Sequence, residues 1–358
     1  MKKVKLGDVA TYINGYAFKP TDWSNEGVLI IRIQDLTGNS YQANRYNGNY
    51  EKKYEIQKGD VLISWSASLG VYVWQGETAV LNQHIFKVVF DKVEIDKNFF
   101  VHQVECILKN ASSEAHGATM KHLTKPVFDA LPFYLPSLEE QKAIAGKLDK
   151  VSGLIEKRKT QLEKLDLLIK SRFIEMFGEV QTNIKGFVMK RMDECCKFIG
   201  GAQPDKSNFE YEKTDDNIRL IQIRDYKSDR FITYIPKALA RKTCTAEDIM
   251  IGRYGPPIFQ ILGGIEGAYN VALMKAVPTE EFNTEYFRYF LKDEKLLRYL
   301  ESFSQRTAGQ DGIQIDKLNA YPCFVPPKAL QDEFANFVEQ VDKSKYHGEF
   351  TCRTEVAA

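Results

Sequence analysis

The sequence lacks the features that mark secreted and membrane proteins. Its six cysteines show no paired spacing, and no apolar run is long enough to serve as a signal segment or a membrane span. These absences predict a protein of the reducing cytoplasm that does not bind a membrane.

An excess of charge of one sign is also missing. Lysine and arginine total 49 against 48 acidic residues, a formal net charge of +1. Any nucleic-acid surface must therefore be a local patch and not a general polycation. A length of 358 residues with 44% hydrophobic residues predicts about two globular domains, each able to bury a core.

Signals of catalysis are absent as well. The five histidines show no metal-ligand spacing with the cysteines, so no metal site is predicted. Residues 252–255 place two glycines close together, but they lack the helix and lysine of a phosphate-binding loop. The sequence therefore predicts no catalytic residue, no cofactor and no metal.

What the chain does contain is a repeat. Residues 56–64, followed by Asn82, return at one constant offset as residues 244–252, followed by Asn270. Each copy reads as short β-rich runs followed by a more helical stretch, which predicts a duplicated α+β domain. Further matched pairs are Leu6 with Met192, Gly15 with Gly201, Ile30 with Leu220, Pro136 with Pro326, and Gln141 with Gln331.

A long helix is predicted between the two copies. Ser137 and Glu140 have the spacing of a capping box, and Gly178 is a stop signal. Apolar residues between them alternate at spacings of four and three, the pattern of a coiled-coil seam. At 1.5 Å per residue, residues 141–176 would span about 54 Å. The seam residues expected to make coiled-coil or subunit contacts are Ile144, Leu148, Val151, Ile155, Leu162, Leu165 and Ile169.

The second copy is closed by a similar but shorter helix. It begins after Pro327 and the periodic pattern ends at Lys345, so residues 346–358 are expected to form a disordered tail. Its apolar face consists of Phe334, Val338 and Val341. Because this helix is short, we expect part of the first seam to lack apolar neighbours within the chain. The residues expected to need a second copy or another subunit are Leu162, Leu165 and Ile169.

These colinear motifs resemble the specificity subunit of type I restriction-modification systems. They are the start at Leu6-Gly7-Asp8, the Gly-Asp-Val-Leu-Ile run at 59–63, and the Leu-Pro-x-x-x-Pro run at 131–136 with its later glutamine. The resemblance covers residues 1–345. In that family two target recognition domains each read one half of a split DNA sequence, and paired antiparallel helices set the spacing between them.

The resemblance implies a non-catalytic subunit that recognises a bipartite, asymmetric target in double-stranded DNA. It also implies assembly with modification subunits that methylate adenine, and through them with the restriction (translocase-nuclease) subunit. The unpaired seam adds a possible homodimer. The expected segments are a first recognition domain at 1–136, a central helix at 137–178, a second recognition domain at 179–326, a truncated second helix at 327–345 and the tail at 346–358.

Candidate DNA contacts are polar or aromatic residues at matched positions that differ in chemistry between the copies. Each has an ordinary alternative: a surface turn, a strand face with salt bridges, an asparagine that holds a backbone turn, or a solvated loop. From the first copy they are Arg32, Gln34, Ser64, Trp65, Ser66, Ser68, Asn82 and Lys121. From the second they are Gln222, Arg224, Arg253, Tyr254, Asn270, Arg306 and Gln310.

Two other functions stay open at this point. One is a single-chain DNA methyltransferase with fused recognition domains, which the lack of an Asn-Pro-Pro-Tyr motif and of a cofactor-binding glycine motif disfavours. The other is a non-catalytic coiled-coil interaction protein with duplicated β-rich domains. Binding of S-adenosylmethionine would identify the first, and absence of DNA binding would favour the second.

Overall fold

The structure, a computed structural model, describes residues 2–38, 42–66, 68–114, 124–255, 257–303 and 312–357. It divides into two compact units, Met1–Lys157 (unit 1) and Arg158–Ala358 (unit 2). Both are rich in β-sheet, and one long helix, α4 (Leu138–Phe177), joins them. The predicted α+β fold is therefore confirmed, whereas the exact bounds of the five segments stay predictions. Within the described residues, no helix has both the length and the apolar character needed to cross a membrane.

Unit 1 is built around two four-stranded sheets. One has the order β2-β9-β6-β7 and is antiparallel throughout, and the other has the order β4-β3-β8-β5 with β3 and β8 parallel. The first and last strands, β1 and β10, form a separate antiparallel pair. The strands are β1 (Lys2–Lys5), β2 (Thr11–Asn14), β3 (Val28–Ile31), β4 (Asn44–Tyr46), β5 (Glu55–Ile56), β6 (Val61–Ser64), β7 (Gly70–Val73), β8 (Ala79–Leu81), β9 (Ile85–Val89) and β10 (Pro132–Leu135). The helices are α1 (Ile33–Leu36), α2 (Lys97–Glu114) and α3 (Lys125–Asp129).

Unit 2 repeats this topology strand for strand. Its sheets have the orders β12-β19-β16-β17 and β14-β13-β18-β15, the latter with β13 and β18 parallel, and β11 pairs with β20. Its strands are β11 (Val188–Arg191), β12 (Cys196–Gly200), β13 (Asn217–Ile221), β14 (Tyr234–Pro236), β15 (Thr243–Cys244), β16 (Ile249–Gly252), β17 (Gln260–Leu262), β18 (Gly267–Tyr269), β19 (Leu273–Pro278) and β20 (Pro322–Val325). Its helices are α5 (Met192–Cys195), α6 (Thr284–Leu291), α7 (Glu294–Phe303), α8 (Ile315–Ala320) and α9 (Lys328–Ala357).

The strand after the repeated Gly-Asp or Glu-Asp pair is central in each unit. Val61 and Ile63 of β6 point into the larger core of unit 1, while Leu62 between them points into a second core under the mixed sheet. Ile249 and Met250 of β16 divide between two cores in the same way. Because neighbouring side chains of a strand face opposite sides, a strand buried on both faces must be apolar throughout.

A buried glutamine fastens the closing helix of each unit. The side chain of Gln141 accepts a hydrogen bond from the N–H of Asp96 (2.8 Å) and donates one to the carbonyl of Pro136 (3.0 Å). Gln331 repeats the arrangement, accepting from the N–H of Asn283 (2.8 Å). The recurrence of this residue in the sequence therefore has a structural cause, since a buried amide must satisfy its hydrogen bonds.

The ends of α4 follow the predicted signals. The N–H of Glu140 meets the hydroxyl of Ser137 (3.4 Å), and the Glu140 carboxylate accepts from the Ser137 N–H (2.9 Å). These hydrogen bonds from Ser137 hold the pKa of Glu140 below its ordinary value. At the other end Gly178 adopts a positive φ of 74°, the left-handed conformation that ends helices.

The second half of α4 packs antiparallel on α9 within unit 2, which corrects one prediction. Ile169 is completely buried beside Phe334 and Val338, and Leu165 packs against the same core. The guanidinium of Arg172 lies 2.9 Å from the carboxylate of Glu333. Leu165 and Ile169 therefore do not lack apolar neighbours, because an antiparallel helix starts beside the C-terminal end of α4 and covers that end first.

The apolar seam that stays exposed lies in the first half of α4. Leu148 and Ile155 are 40% and 46% exposed, and Leu154 beside them is 41% exposed. Val151 is half-buried, while Ile144 packs against the core of unit 1. In unit 2, Leu162 is half-buried and Val341 is buried.

The backbone of α9 differs from the predicted end at Lys345. The helix continues to Ala357, so residues 346–357 are helical and do not form an irregular tail. One glycine, Gly348, interrupts this stretch, and glycine in a helix costs only about 1 kcal/mol relative to alanine. No proline follows Pro327, so nothing in the sequence forces the helix to stop.

Candidate nucleic-acid interface

The asparagines that recur in both units pack their backbone carbonyls closely against a glycine of a neighbouring segment. A Cβ on Gly15 would lie 2.1 Å from the carbonyl oxygen of Asn82, and a Cβ on Gly201 would lie 2.0 Å from that of Asn270. Asn270 is buried, and its Oδ1 accepts a hydrogen bond from the N–H of Ala272 (3.1 Å). Both glycine–asparagine pairs are thus explained by close backbone packing. A DNA contact by the half-buried Asn82 stays a prediction.

The loop after β6 turns two of its serines inward. Ser64 is completely buried and its Oγ donates to the carbonyl of Ser68, while Ser66 is buried as well. Trp65 is half-buried and its Nε1 donates to the Oδ1 of Asn14 (3.2 Å). Direct base contacts by Ser64 and Ser66 are therefore disfavoured, because the central position of β6 carries its last residues into the core. Ser68 is exposed.

The matched loop after β16 carries a cation instead. The guanidinium of Arg253 lies over the ring of Tyr254, 5.4 Å from its centre. Its Nη1 is 3.5 Å from the carbonyl of Val271, and its Nε is buried without a hydrogen-bond partner in the described parts of the chain. Two positive φ angles shape the loop, +101° at Gly255 and +58° at the buried Phe259. A bulky residue in this region is strained, and strain of this kind concentrates at ligand-binding sites.

Arg32 and Gln34 lie on a helical turn and not on a strand face. The strand β3 ends at Ile31, and the N–H of Arg32 donates to the Oδ2 of Asp35 (2.7 Å), which caps α1. Asp35 is the signal that sequence reasoning missed, because a carboxylate three residues after an N-cap favours a helical turn.

The same turn follows β13 in unit 2. The N–H of Gln222 donates to the Oδ2 of Asp225 (3.0 Å), and a 3-10 helix runs from Ile223 to Tyr226. Asp225 is buried, and burial raises its pKa above the ordinary value. The Nη2 of Arg224 lies 3.5 Å from the Oγ1 of Thr233, and its Nε lies 3.8 Å from the Asp225 carboxylate.

A cleft of about 450 Å³ opens beside Arg32 in unit 1. The guanidinium of Arg32 lies over the ring of Trp23, 5.2 Å from its centre, and its Nε is buried without a hydrogen-bond partner among the residues described. The cleft is lined by Trp23, Ser24, Asn25, Arg32, Gln34, Gln42 and Asn44. None of these seven is acidic, so the cleft suits an electronegative ligand edge. Trp23 was missed from the sequence because the second copy has no matched tryptophan.

A cleft in unit 2 has the opposite electrostatic character. It encloses about 940 Å³ beside β13, and its walls include the carboxylates of Asp215, Asp225, Asp229 and Glu266. Lysines and Arg219 line it as well, but four carboxylates disfavour a phosphate or a guanine edge. Two predicted contacts of unit 2 lie outside this cleft: Arg224, which is exposed, and Arg253, which is half-buried.

Three predicted contacts lie outside the described residues: Lys121, Arg306 and Gln310. Another predicted contact, Tyr254, lies beside the end of the segment that contains Arg306 and Gln310. Tyr254 forms a β-bridge with Gly312, so the loop after β16 adjoins the segment that leads into α8.

Comparison with known proteins is consistent with this fold. A family model described as the type I restriction modification DNA specificity domain matches residues 1–166. The type I restriction enzyme EcoBI specificity subunit of Escherichia coli is 29% identical over 200 residues, which cover 53% of this chain and 42% of the relative. The MjaVIII specificity subunit of Methanocaldococcus jannaschii is 28% identical over 180 residues, which cover 45% of this chain and 42% of the relative.

The chain thus spans about two fifths of the length of these relatives in the regions that match. Among solved structures, the type I restriction-modification S subunit from M. genitalium superimposes with a TM-score of 0.56 at 14% identity, covering 99% of this chain and 93% of that one. At this identity the likeness concerns the fold. Residues 1–166 therefore match the model of the type I restriction modification DNA specificity domain, and the chain as a whole has the fold of that S subunit.

Proposed function

We propose that this chain is a sequence-specific DNA-binding subunit of a type I restriction-modification complex. Each unit recognises one half of a bipartite, asymmetric target in double-stranded DNA. The chain supplies no catalytic residue and needs no cofactor, and it directs partner adenine methyltransferase subunits and, through them, the restriction subunit. Its place of action is the cytoplasm, where cellular DNA is methylated.

One observation carries this proposal. The two units share topology, the packing of a glycine against an asparagine carbonyl and the hydrogen bonds of a buried glutamine. They nevertheless carry different chemistry at matched solvent-accessible positions. The turn after the parallel strand has Arg32 and Gln34 in unit 1 but Gln222 and Arg224 in unit 2. Two different half-sites require the same scaffold with different side chains on it, because DNA sequence is read by side chains that reach base edges.

The exposed part of α4 supports assembly with other subunits. Leu148, Leu154 and Ile155 are each at least 40% exposed and lie within two turns of one helix. Solvent-exposed apolar groups at this spacing form a stripe that favours a partner helix. We assign it to the modification subunits, with a second copy of this chain as the competing occupant.

The proposal is tested by purifying the full chain together with modification subunits of its host and selecting bound duplexes from a randomised pool. A split motif that also becomes methylated at adenine in a host expressing the complex would support it. Binding of S-adenosylmethionine by the isolated chain would favour the single-chain methyltransferase. Failure of the assembled complex to enrich any sequence would contradict a role in DNA recognition.

A further inference from the structure

We infer that each unit reads one guanine with an arginine stacked on an exposed aromatic side chain, Arg32 on Trp23 in unit 1 and Arg224 on Phe231 in unit 2. The inference rests on the proposed function and names the residues that determine specificity. Trp23 and Phe231 hold the arginines in place and are not among the contacts that the sequence predicted.

The two stacks arise from the same turn of the fold. In both units the turn follows the strand that has a parallel neighbour, and an aspartate accepts a hydrogen bond from its first N–H. The first and third positions of the turn hold one arginine and one glutamine in each unit, in opposite order. The same backbone turn therefore presents an arginine and a glutamine in opposite order in the two units. This difference gives the two units different base preferences.

The stack in unit 1 is open to a ligand. Trp23 is 45% exposed, and the Arg32 guanidinium lies 5.2 Å from its ring centre. The Nε of Arg32 is buried without a hydrogen-bond partner among the described residues, which is an unfavourable arrangement for a donor. The amides of Asn25 and Gln34 line the same cleft.

The stack in unit 2 is more exposed. Phe231 is 58% exposed, and two guanidinium groups lie over its ring, with Arg224 at 5.7 Å and Arg230 at 5.3 Å from its centre. Arg224 also reaches the carbonyl of Phe231 (3.4 Å). In this arrangement the ring and the carbonyl of Phe231 both position the guanidinium of Arg224.

The chemistry of the stack selects guanine. A guanidinium held over an aromatic ring keeps its N–H donors in its own plane, and those that make no hydrogen bond within the chain can form two parallel hydrogen bonds to a base. Guanine offers two neighbouring acceptors, O6 and N7, on its major-groove edge, whereas adenine places a donor beside N7. Lysine would preserve the charge but not the planar pair of donors.

The test uses the full chain with its modification subunits and the split motif obtained from the randomised pool. Arg32→Ala, Arg32→Lys and Trp23→Ala are compared with Arg224→Ala and Phe231→Ala. Lys109→Ala and Arg298→Ala serve as controls, because each removes an exposed cation that pairs with a glutamate four residues away on its own helix. The affinity for each single-base variant of the motif is then measured.

We expect Arg32→Ala and Arg32→Lys to lose about ten- to hundredfold discrimination at one guanine of the first half-site and none in the second. Arg224→Ala should do the same in the second half-site only. Trp23→Ala and Phe231→Ala should weaken the same discrimination by a smaller factor. The unaffected half-site reports that each variant is folded.

Two results would overturn the inference while leaving the proposed function intact. One is an unchanged motif in all five variants. The other is an equal loss of affinity for every sequence, which would assign Arg32 and Arg224 to phosphates. If the unmodified complex itself selects no motif, the proposed function fails first.

Discussion

The two units of this chain have one topology but different exposed chemistry. Unit 1 carries a cleft that is lined by Trp23 and Arg32 and has no carboxylate in its lining. The corresponding sheet of unit 2 carries a cleft with four carboxylates, and Arg224 lies outside it. The glycines and glutamines that pack or hydrogen-bond the backbone, in contrast, recur at matched positions in both units. Recurrence within this chain therefore marks the scaffold, and divergence marks the candidate reading surface.

The largest expected effect tests whether the recurring glycines are scaffold. Gly15→Ala and Gly201→Ala should each destabilise their own unit by at least about 3 kcal/mol, because the new methyl group meets a backbone carbonyl that cannot move aside. Urea unfolding followed by circular dichroism measures this. Gly153→Ala is the control, since nothing lies within 4 Å of that position in α4 and alanine favours a helix. If Gly15→Ala and Gly201→Ala were as stable as the parent protein, the recurring glycines would not be required for packing.

The next effect separates the two halves of α4. Ile169→Ala should lower the free energy of unfolding by about 2–4 kcal/mol, because Ile169 is completely buried against α9. Ile155→Ala should change it by less than about 0.5 kcal/mol, since Ile155 is 46% exposed. Co-purification with the modification subunits should show the reverse order, with Ile155→Asp as the variant that impairs assembly. Normal assembly by Ile155→Asp would remove the proposed role of the exposed stripe.

A smaller effect compares the two glutamine fastenings. Gln331 donates to the carbonyls of Pro326 (2.8 Å) and Glu281 (3.0 Å), whereas Gln141 donates to Pro136 alone within the described hydrogen bonds. Gln331→Ala should therefore destabilise unit 2 by about 2–3 kcal/mol, and Gln141→Ala should destabilise unit 1 by about 1–2 kcal/mol. Thermal and urea unfolding of both variants provide the measurement, with the exposed Lys142→Ala as control. A negligible change in the free energy of unfolding in both variants would show that the hydrogen bonds of these glutamines do not stabilise the units.

The smallest expected effect concerns acid stability. The hydrogen bond from His102 (2.7 Å) lowers the pKa of Asp149, assisted by Asn98. A lowered folded-state pKa stabilises unit 1 above the unfolded value of about 4, and this stabilisation is lost as pH falls through the folded pKa. Because Asp149 is largely exposed, the contribution is below about 1 kcal/mol.

Asp149→Asn should therefore flatten the acid limb of the stability curve between about pH 5 and pH 2, measured by urea unfolding at each pH. Glu339→Gln, at the matched position on α9, is the control, because Glu339 pairs only with Lys343 of its own helix among the ion pairs described. An acid limb that is unchanged in Asp149→Asn would contradict the assignment.

The sequence predicted the architecture well because its signals were local or repeated. Ser137, Glu140 and Gly178 fixed the ends of α4, and the matched apolar strands fixed the duplicated domain. The sequence did not predict features that depend on the direction of a packed helix or on the burial of a loop residue. The exposed part of the seam depends on α9 running antiparallel, and the burial of Ser64 depends on β6 lying between two other strands. Trp23 could not be found from the repeat, because only one copy has it.

The central claim is that two copies of one scaffold read two different stretches of the same duplex. Selection from randomised duplexes by the full chain with its modification subunits tests it most directly. The account predicts two separated half-sites of different sequence, with Arg32→Ala relaxing one and Arg224→Ala relaxing the other. A single uninterrupted motif, or one motif that both variants relax at the same base pair, would contradict it.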